Sequence, residues 1–438
     1  MKNQTTPNKI GFHYYQDTAH YTHKDLTRWL PELKRLSAGW IVLRAEPTRA
    51  IPEHFLSGLI EAGITPLVHM TIPLPNSPSA ADLKAILEAY ARWGVRQVIL
   101  FDKPNSEESW SPSSWSQQDL VERFIDRFLP LAMAVLQAGM TPVFPALEPG
   151  GNYWDLSFLK QSIDSIQRRG YENLIRRMGL AAYAYTFEHD LDWGAGGPSS
   201  WPGVKPYQES KLGQNQCGFN NFEWMQSIVH TCTHMTLPVF LLGAGVIDSE
   251  FGYQPEDHAG VIQSILERLN GALGAKVLPD YIQSCHFYTL CADESDDKFE
   301  FAWIKNSGEV LPIVDLLTSQ RKPAAGQQHG RIRVKSVRVP ADYHPAKFIH
   351  PLDHYLLLSD APAESLDLQM ELAAPFIAKK RPTIGFSPDD AMLARKVTII
   401  SLDQEITGEL VTKLEKNGCV VEQISGDGTT IATQLAER

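Results

Sequence analysis

The sequence predicts an α/β protein: a (β/α)8 TIM barrel followed by a linker and a small C-terminal α/β unit. Three observations predict it. Strand-like and helix-like segments alternate from the start, and eight such units fill about the first 310 residues. Several strand-like segments are continuous apolar runs, as parallel strands covered by helices require. Three helical segments close on Gly63, Gly94 and Gly139, a residue suited to the left-handed position just past a helix end.

The units follow in order. KIGFHYYQ (9–16) reads as the first strand, and Leu26, Leu30, Leu33 and Leu36 are spaced as one helix face. WIVLRA (40–45), TPLVHMTI (65–72), QVILF (97–101) and TPVFPAL (141–147) are the next strands, with helices over 52–63, 81–93 and about 116–138 between them. GLAAYAYTF (179–187), PVFLLGAGV (238–246) and IQSCHFYTL (282–290) complete the set, with helices near 221–234 and 255–270. A doubly wound open sheet is disfavoured, because GFHYYQDTAH after the first strand lacks a Gly-rich phosphate loop. The barrel is assigned to residues 1–320. Residues 321–382 read as a Pro/Gly/Gln-rich linker and irregular segment, and 383–438 as the small α/β unit.

Composition bounds the function. Of 438 residues, 43% are hydrophobic and 21% charged, which is a core-forming balance. Lys+Arg number 40 against 51 Asp+Glu, a net charge of −11, so no basic footprint for nucleic acid is expected. The sequence has no apolar run long enough to span a membrane. MKNQTTPNKIGFHYY has no apolar signal core, and the five cysteines include no CxxC pair, so the expectation is a reduced, cytoplasmic protein without a disulfide framework. His230 and His234 have zinc-ligand spacing, but HTCTH lacks the HExxH glutamate. They read as a solvent-facing pair, and no metal or cofactor is expected.

Functional groups of such barrels lie where each strand ends. Strand 1 offers His13 and Tyr14, strand 2 Arg44 and Glu46, and strand 3 His69. Strand 4 offers Asp102, Lys103 and Asn105, and strand 5 offers Glu148 in a Pro/Gly turn. Strand 6 offers Tyr185, Glu188, His189 and Asp192, and strand 8 offers His286. Trp154, Trp193 and Trp201 fall in the loops after strands 5 and 6, where flat aromatic faces suit sugar C–H faces. LDWGAGGPSSWPGVKPY (191–207) reads as an ordered lid or substrate shelf.

Residues 9–320 resemble the clan A glycoside hydrolases. Arg44 matches that clan's strand-2 arginine. Pro104 and Asn105 in FDKPN match its strand-4 Asn-Glu-Pro motif. Tyr185 matches a strand-6 tyrosine or histidine, and PVFLLGAG (238–245) matches the front of its strand-7 motif. FAWIKNSGEVLPIVDLL is similar to the clan's closing segment. The resemblance implies a carbohydrate-active barrel with an oligosaccharide or glycan as partner. It also implies a strand-4 glutamate as acid/base and a strand-7 glutamate as nucleophile, but Lys103 and Gly243 stand at those positions. Hydrolysis would then need another carboxylate set, drawn from Glu148, Asp102 and Glu46. A glycan-binding barrel without turnover and a scaffold protein are the alternatives. Residues 396–438 resemble the type-two cell-wall-binding repeat in KVTIIS and the Gly-punctuated stretch after it, but lack the glycine pair following the first strand. Oligomeric state is not readable from the sequence.

Overall fold

The computed structural model describes residues 8–74, 76–187, 189–207, 213–245, 255–272, 276–296, 299–319, 350, 352–358, 363–380, 382–402 and 408–436. Glu188 and residues 321–349, the first part of the segment read as linker and irregular, lie outside these.

Eight parallel strands close into a barrel in chain order. They are β1 (Ile10–His13), β2 (Trp40–Ala45), β3 (Thr65–Met70), β4 (Gln97–Leu100), β5 (Thr141–Phe144), β6 (Gly179–Tyr185), β7 (Val239–Gly245) and β8 (Ile282–Phe287). The ring closes where Gly11 faces Trp40 on one side and His286 on the other. Helices fill the intervals between strands, as the apolar pattern predicts. Two of them start on capping boxes, Thr22 with Asp25 and Ser79 with Asp82. Among the described residues no helix is long and apolar enough to cross a membrane.

Alternate strand residues face opposite sides. Trp40, Val42, Leu67, Ile99, Val143, Ala181, Phe240 and Leu242 form one apolar cluster inside the barrel. Their neighbours Ile41, Leu43, Val68, Val98 and Leu241 join the outer cluster beneath the helices. Gly11 makes room inside: a Cβ there would stand 2.4 Å from Cδ2 of His286.

A second sheet follows, ordered β10-β9-β11-β12 and all parallel. Its strands are β9 (Leu352–Leu358), β10 (Thr383–Gly385), β11 (Ala394–Leu402) and β12 (Val420–Gly426). On one face Leu356, Ile400 and Ile424 pack with Phe376, Ile431 and Leu435. The other face, with Tyr355, Leu357, Val397 and Ile399, joins the barrel's outer core. Asp390 joins the two units, accepting from Gln161 Nε2 at 2.9 Å and from Ser157 Oγ, both on the barrel helix 155–168. The unit begins earlier than residue 383. The stretch read as irregular contains β9 and the helix 363–380. The segment compared with the cell-wall-binding repeat supplies nearly all of β11 and β12. It is not self-contained, since β11 also pairs with β9.

Candidate functional site

Asp102 follows β4 and sits at the centre of the barrel mouth. Its Oδ1 accepts from the Tyr183 hydroxyl at 2.6 Å. Arg44 Nη2 stands 3.7 Å from its other oxygen, and His69 Nε2 stands 3.9 Å from Oδ1. Burial disfavours the Arg44 cation, but Asp102 and the phenols of Tyr183 and Tyr288 outweigh that and hold its pKa up. Burial first, then the Asp102 charge, pushes the Tyr183 hydroxyl well above its usual value, so it stays a donor.

Lys103 adopts φ +44°, in the left-handed region. Its Nζ meets Glu148 Oε2 at 2.5 Å and lies 5.0 Å and 5.8 Å from the ring centres of Tyr183 and Tyr185. Those two rings stack at 4.6 Å. Asn105 is fully buried and holds the Glu148 turn. It accepts from Glu148 N at 2.8 Å and donates to the carbonyls of Glu148 and Tyr153. Asn105 therefore positions a carboxylate rather than lying open in the mouth.

The histidines form a neutral inner layer. His13 Nε2 accepts from the Gly243 N–H at 3.1 Å, so its proton lies on Nδ1. Burial, followed by the nearby His286, lowers its pKa well below the ordinary value. His286 faces the Leu241 carbonyl at 2.8 Å through Nδ1, and burial lowers its pKa to about 4. His69 faces the Phe101 carbonyl at 2.8 Å, and burial lowers its pKa against the pull of Asp102. Gly243 has φ +58°, and a Cβ there would lie 2.4 Å from Cε1 of Tyr185. The Tyr185 ring occupies the space a side chain at the end of β7 would need.

The remaining sequence-derived residues divide. Trp154 and Trp193 line a cavity of about 450 Å³ beside the mouth, with Phe187, His189, Tyr207 and Gln216. Phe187 meets Tyr185 edge to face at 5.8 Å, and His189 stacks on Trp193 at 3.8 Å. Glu46 stands apart in a smaller cavity of about 210 Å³ with Arg44 and Arg49, and accepts from Thr18. Three residues lie away from the mouth. Tyr14 is 1% exposed and packs outward against Tyr21 and Phe55, since it follows inward-facing His13. Trp201 donates to the Ala195 carbonyl at 3.0 Å and packs on the outer core. Asp192 is exposed and pairs with the buried Arg268 at 3.0 Å.

Sequence reasoning missed Tyr183, Tyr207 and Gln216. Tyr183 was accessible, because it lies two residues before Tyr185 and so shares its face. Buried Asp155 was missed as well. It accepts from Gln216 at 2.9 Å, and burial raises its pKa to about 7. Asp17, His20 and Asp293 bring three ligand-type atoms within 4.8 Å of one another, outside the mouth constellation.

No family model matches the chain, and no curated protein matches it. Solved structures similar to it include glycoside hydrolases. One is a family 39 glycoside hydrolase from Bacteroides cellulosilyticus WH2, at 12% identity and TM-score 0.49, covering 72% of this chain and 63% of that one. This chain thus spans less than two thirds of that protein's length. A β-xylosidase from Caulobacter crescentus CB15 is similar at 12% identity and TM-score 0.47, covering 72% and 68%. An exo-β-1,4-mannosidase from Opitutaceae bacterium strain TAV5 is similar at 11% identity and TM-score 0.39, covering 98% and 79%.

Proposed function

We propose that this protein is a carbohydrate-active barrel of glycoside hydrolase-like type that binds an uncharged oligosaccharide at its mouth. One observation carries the reading: an aromatic cavity walled by Trp154, Trp193 and Phe187 adjoins a polar centre of carboxylates, cations and phenols. Aromatic faces take up sugar C–H faces, and the polar centre supplies the few fixed hydrogen bonds that orient a ligand. The charges at the centre are matched, Asp102 by Arg44 and Glu148 by Lys103. An uncharged ligand leaves both pairs intact.

Hydrolysis is the second reading, and it is favoured by the placement of Asp102 and Glu148 around the Tyr183–Tyr185 stack. One carboxyl would donate a proton to the leaving oxygen while the other activates water or attacks. Donation by Glu148 requires it to leave the Lys103 ammonium, which makes binding the primary reading.

Calorimetric titration with xylo-, cello-, laminari- and manno-oligosaccharides, followed by mass spectrometry of overnight mixtures, tests both readings. Binding with unchanged sugars supports the receptor. Shorter products that vanish in Glu148→Gln while binding persists support the hydrolase. Trp193→Ala is expected to weaken binding about tenfold, and Trp201→Ala to leave affinity unchanged. Failure of every series to bind sinks the proposal.

A further inference from the structure

The cavity beside the mouth does not end at the barrel. Trp154 and Tyr207 wall it, and they also wall a second cavity of about 400 Å³ on the seam between the barrel and the C-terminal unit. Tyr153, Tyr355 and Phe386 add three more aromatic rings to that second hollow. Phe386 is 48% exposed although it lines a concave surface. The Tyr207 ring is 68% exposed, yet its hydroxyl is fixed, accepting from Trp154 N at 2.6 Å and donating to the Asn152 carbonyl at 3.3 Å. A ring held at its tip with its face open loses little freedom when a ligand settles on it. Tyr355 is seated by Gly385, where a Cβ would stand 2.1 Å from the phenol oxygen. Asp390 is the one charged side chain lining the hollow among the described residues, and it is turned onto Ser157 and Gln161.

We infer that this seam is a distal subsite for the same oligosaccharide. A chain seated in the mouth runs past Trp154 and Tyr207 and rests its far sugars on Phe386. The inference rests on the proposed glycan reading and adds the C-terminal unit to the binding site, as the part that selects long chains. Three features favour a sugar polymer as the occupant: continuity through two shared aromatic walls, the lack of a free charge, and open ring faces.

The test compares a trisaccharide with a hexasaccharide of whichever series binds the full-length protein, in wild type and in Phe386→Ala. The exposed Phe386 ring is outside the mouth, so an unchanged melting curve is expected for the variant. Wild type should bind the hexasaccharide about tenfold tighter than the trisaccharide. Phe386→Ala should erase that difference and leave trisaccharide affinity unchanged. Equal affinities in wild type, or equal weakening of both ligands in the variant, overturn the subsite while leaving the mouth reading in place. Concentration-dependent self-association in ultracentrifugation that Phe386→Ala abolishes assigns the seam to a second copy and overturns it too. Absence of binding by every sugar overturns the mouth reading and this inference with it.

Discussion

Both sheets are parallel, and the barrel strands and the inner strands β9 and β11 of the second sheet are covered on two faces, yet they use their inward positions differently. The second sheet fills one face with Leu356, Leu358, Ile400 and Ile424. The barrel places His13, Arg44, His69 and His286 on inward positions alongside its apolar cluster. Burying ionisable groups costs stability unless each is neutral or paired. The barrel meets that condition with low-pKa imidazoles and with the Arg44–Asp102–Tyr183 chain. The comparison teaches where this molecule concentrates chemistry: the barrel gathers several ionisable groups at its centre, whereas the apolar face of the second sheet takes in His354, held against Thr398 at 2.8 Å.

The largest effect expected from that contrast concerns Asp155. Burial raises its pKa from 3.8 to about 7 in the folded barrel. A carboxyl that holds its proton more tightly when folded favours the fold at low pH, and that contribution is lost as pH rises from about 4 to about 7. Asp155→Asn lacks this dependence. Urea titrations across pH should show the variant gaining on wild type over that window by up to roughly 4 kcal/mol, then holding level. In the second unit Asp427 is exposed, and a hydrogen bond from the Thr430 N–H lowers its pKa. Its contribution has the opposite sign and is lost as pH falls. A flat difference profile for Asp155→Asn would break the contrast.

Glycine replacements should come next. Gly243→Ala forces a methyl onto Tyr185 at a positive φ and should cost about 3 kcal/mol. Gly408→Ala, with nothing within 4 Å of the added carbon and a helical position, should stabilise by about 0.5 kcal/mol. Thermal melts of the two variants moving in the same direction would refute the distinction. The ion pairs complete the series. Asp102→Asn leaves Arg44 facing a neutral group and should cost about 2 kcal/mol. Lys396→Met removes an exposed partner of Glu422 and should cost under about 1 kcal/mol. Equal losses in denaturant midpoints would show that the barrel pair is no more buried in effect than the surface one.

The eight barrel strands were legible because both their faces are buried, so WIVLRA and GLAAYAY stand out as apolar runs. The same property hid which residues point inward. In IGFHYY no alternation of polar and apolar residues marks the phase, so Tyr14 looked as available as His13, although the two face opposite sides. Asn105 and Glu148 were legible as neighbours of strand ends, but the reciprocal backbone bonds between them depend on contacts 43 positions apart in sequence. β9 was missed because LDHYLLL follows a segment of linker composition and pairs with β10 and β11, which come later in the chain. The sequence puts Gly243 where the clan resemblance implies a nucleophile glutamate. The structure adds that Tyr185 fills the space beside it.

The bond from Asp390 to Ser157 and Gln161 has a practical consequence for anyone who would divide this chain. Tyr355, Leu357, Val397 and Met392 are buried in the same core as the barrel helices. A barrel expressed without residues 350–438 would lose the apolar cover this face provides and leave Ser157 without its carboxylate. The two units are therefore best cloned, shuffled and transplanted as a single cassette.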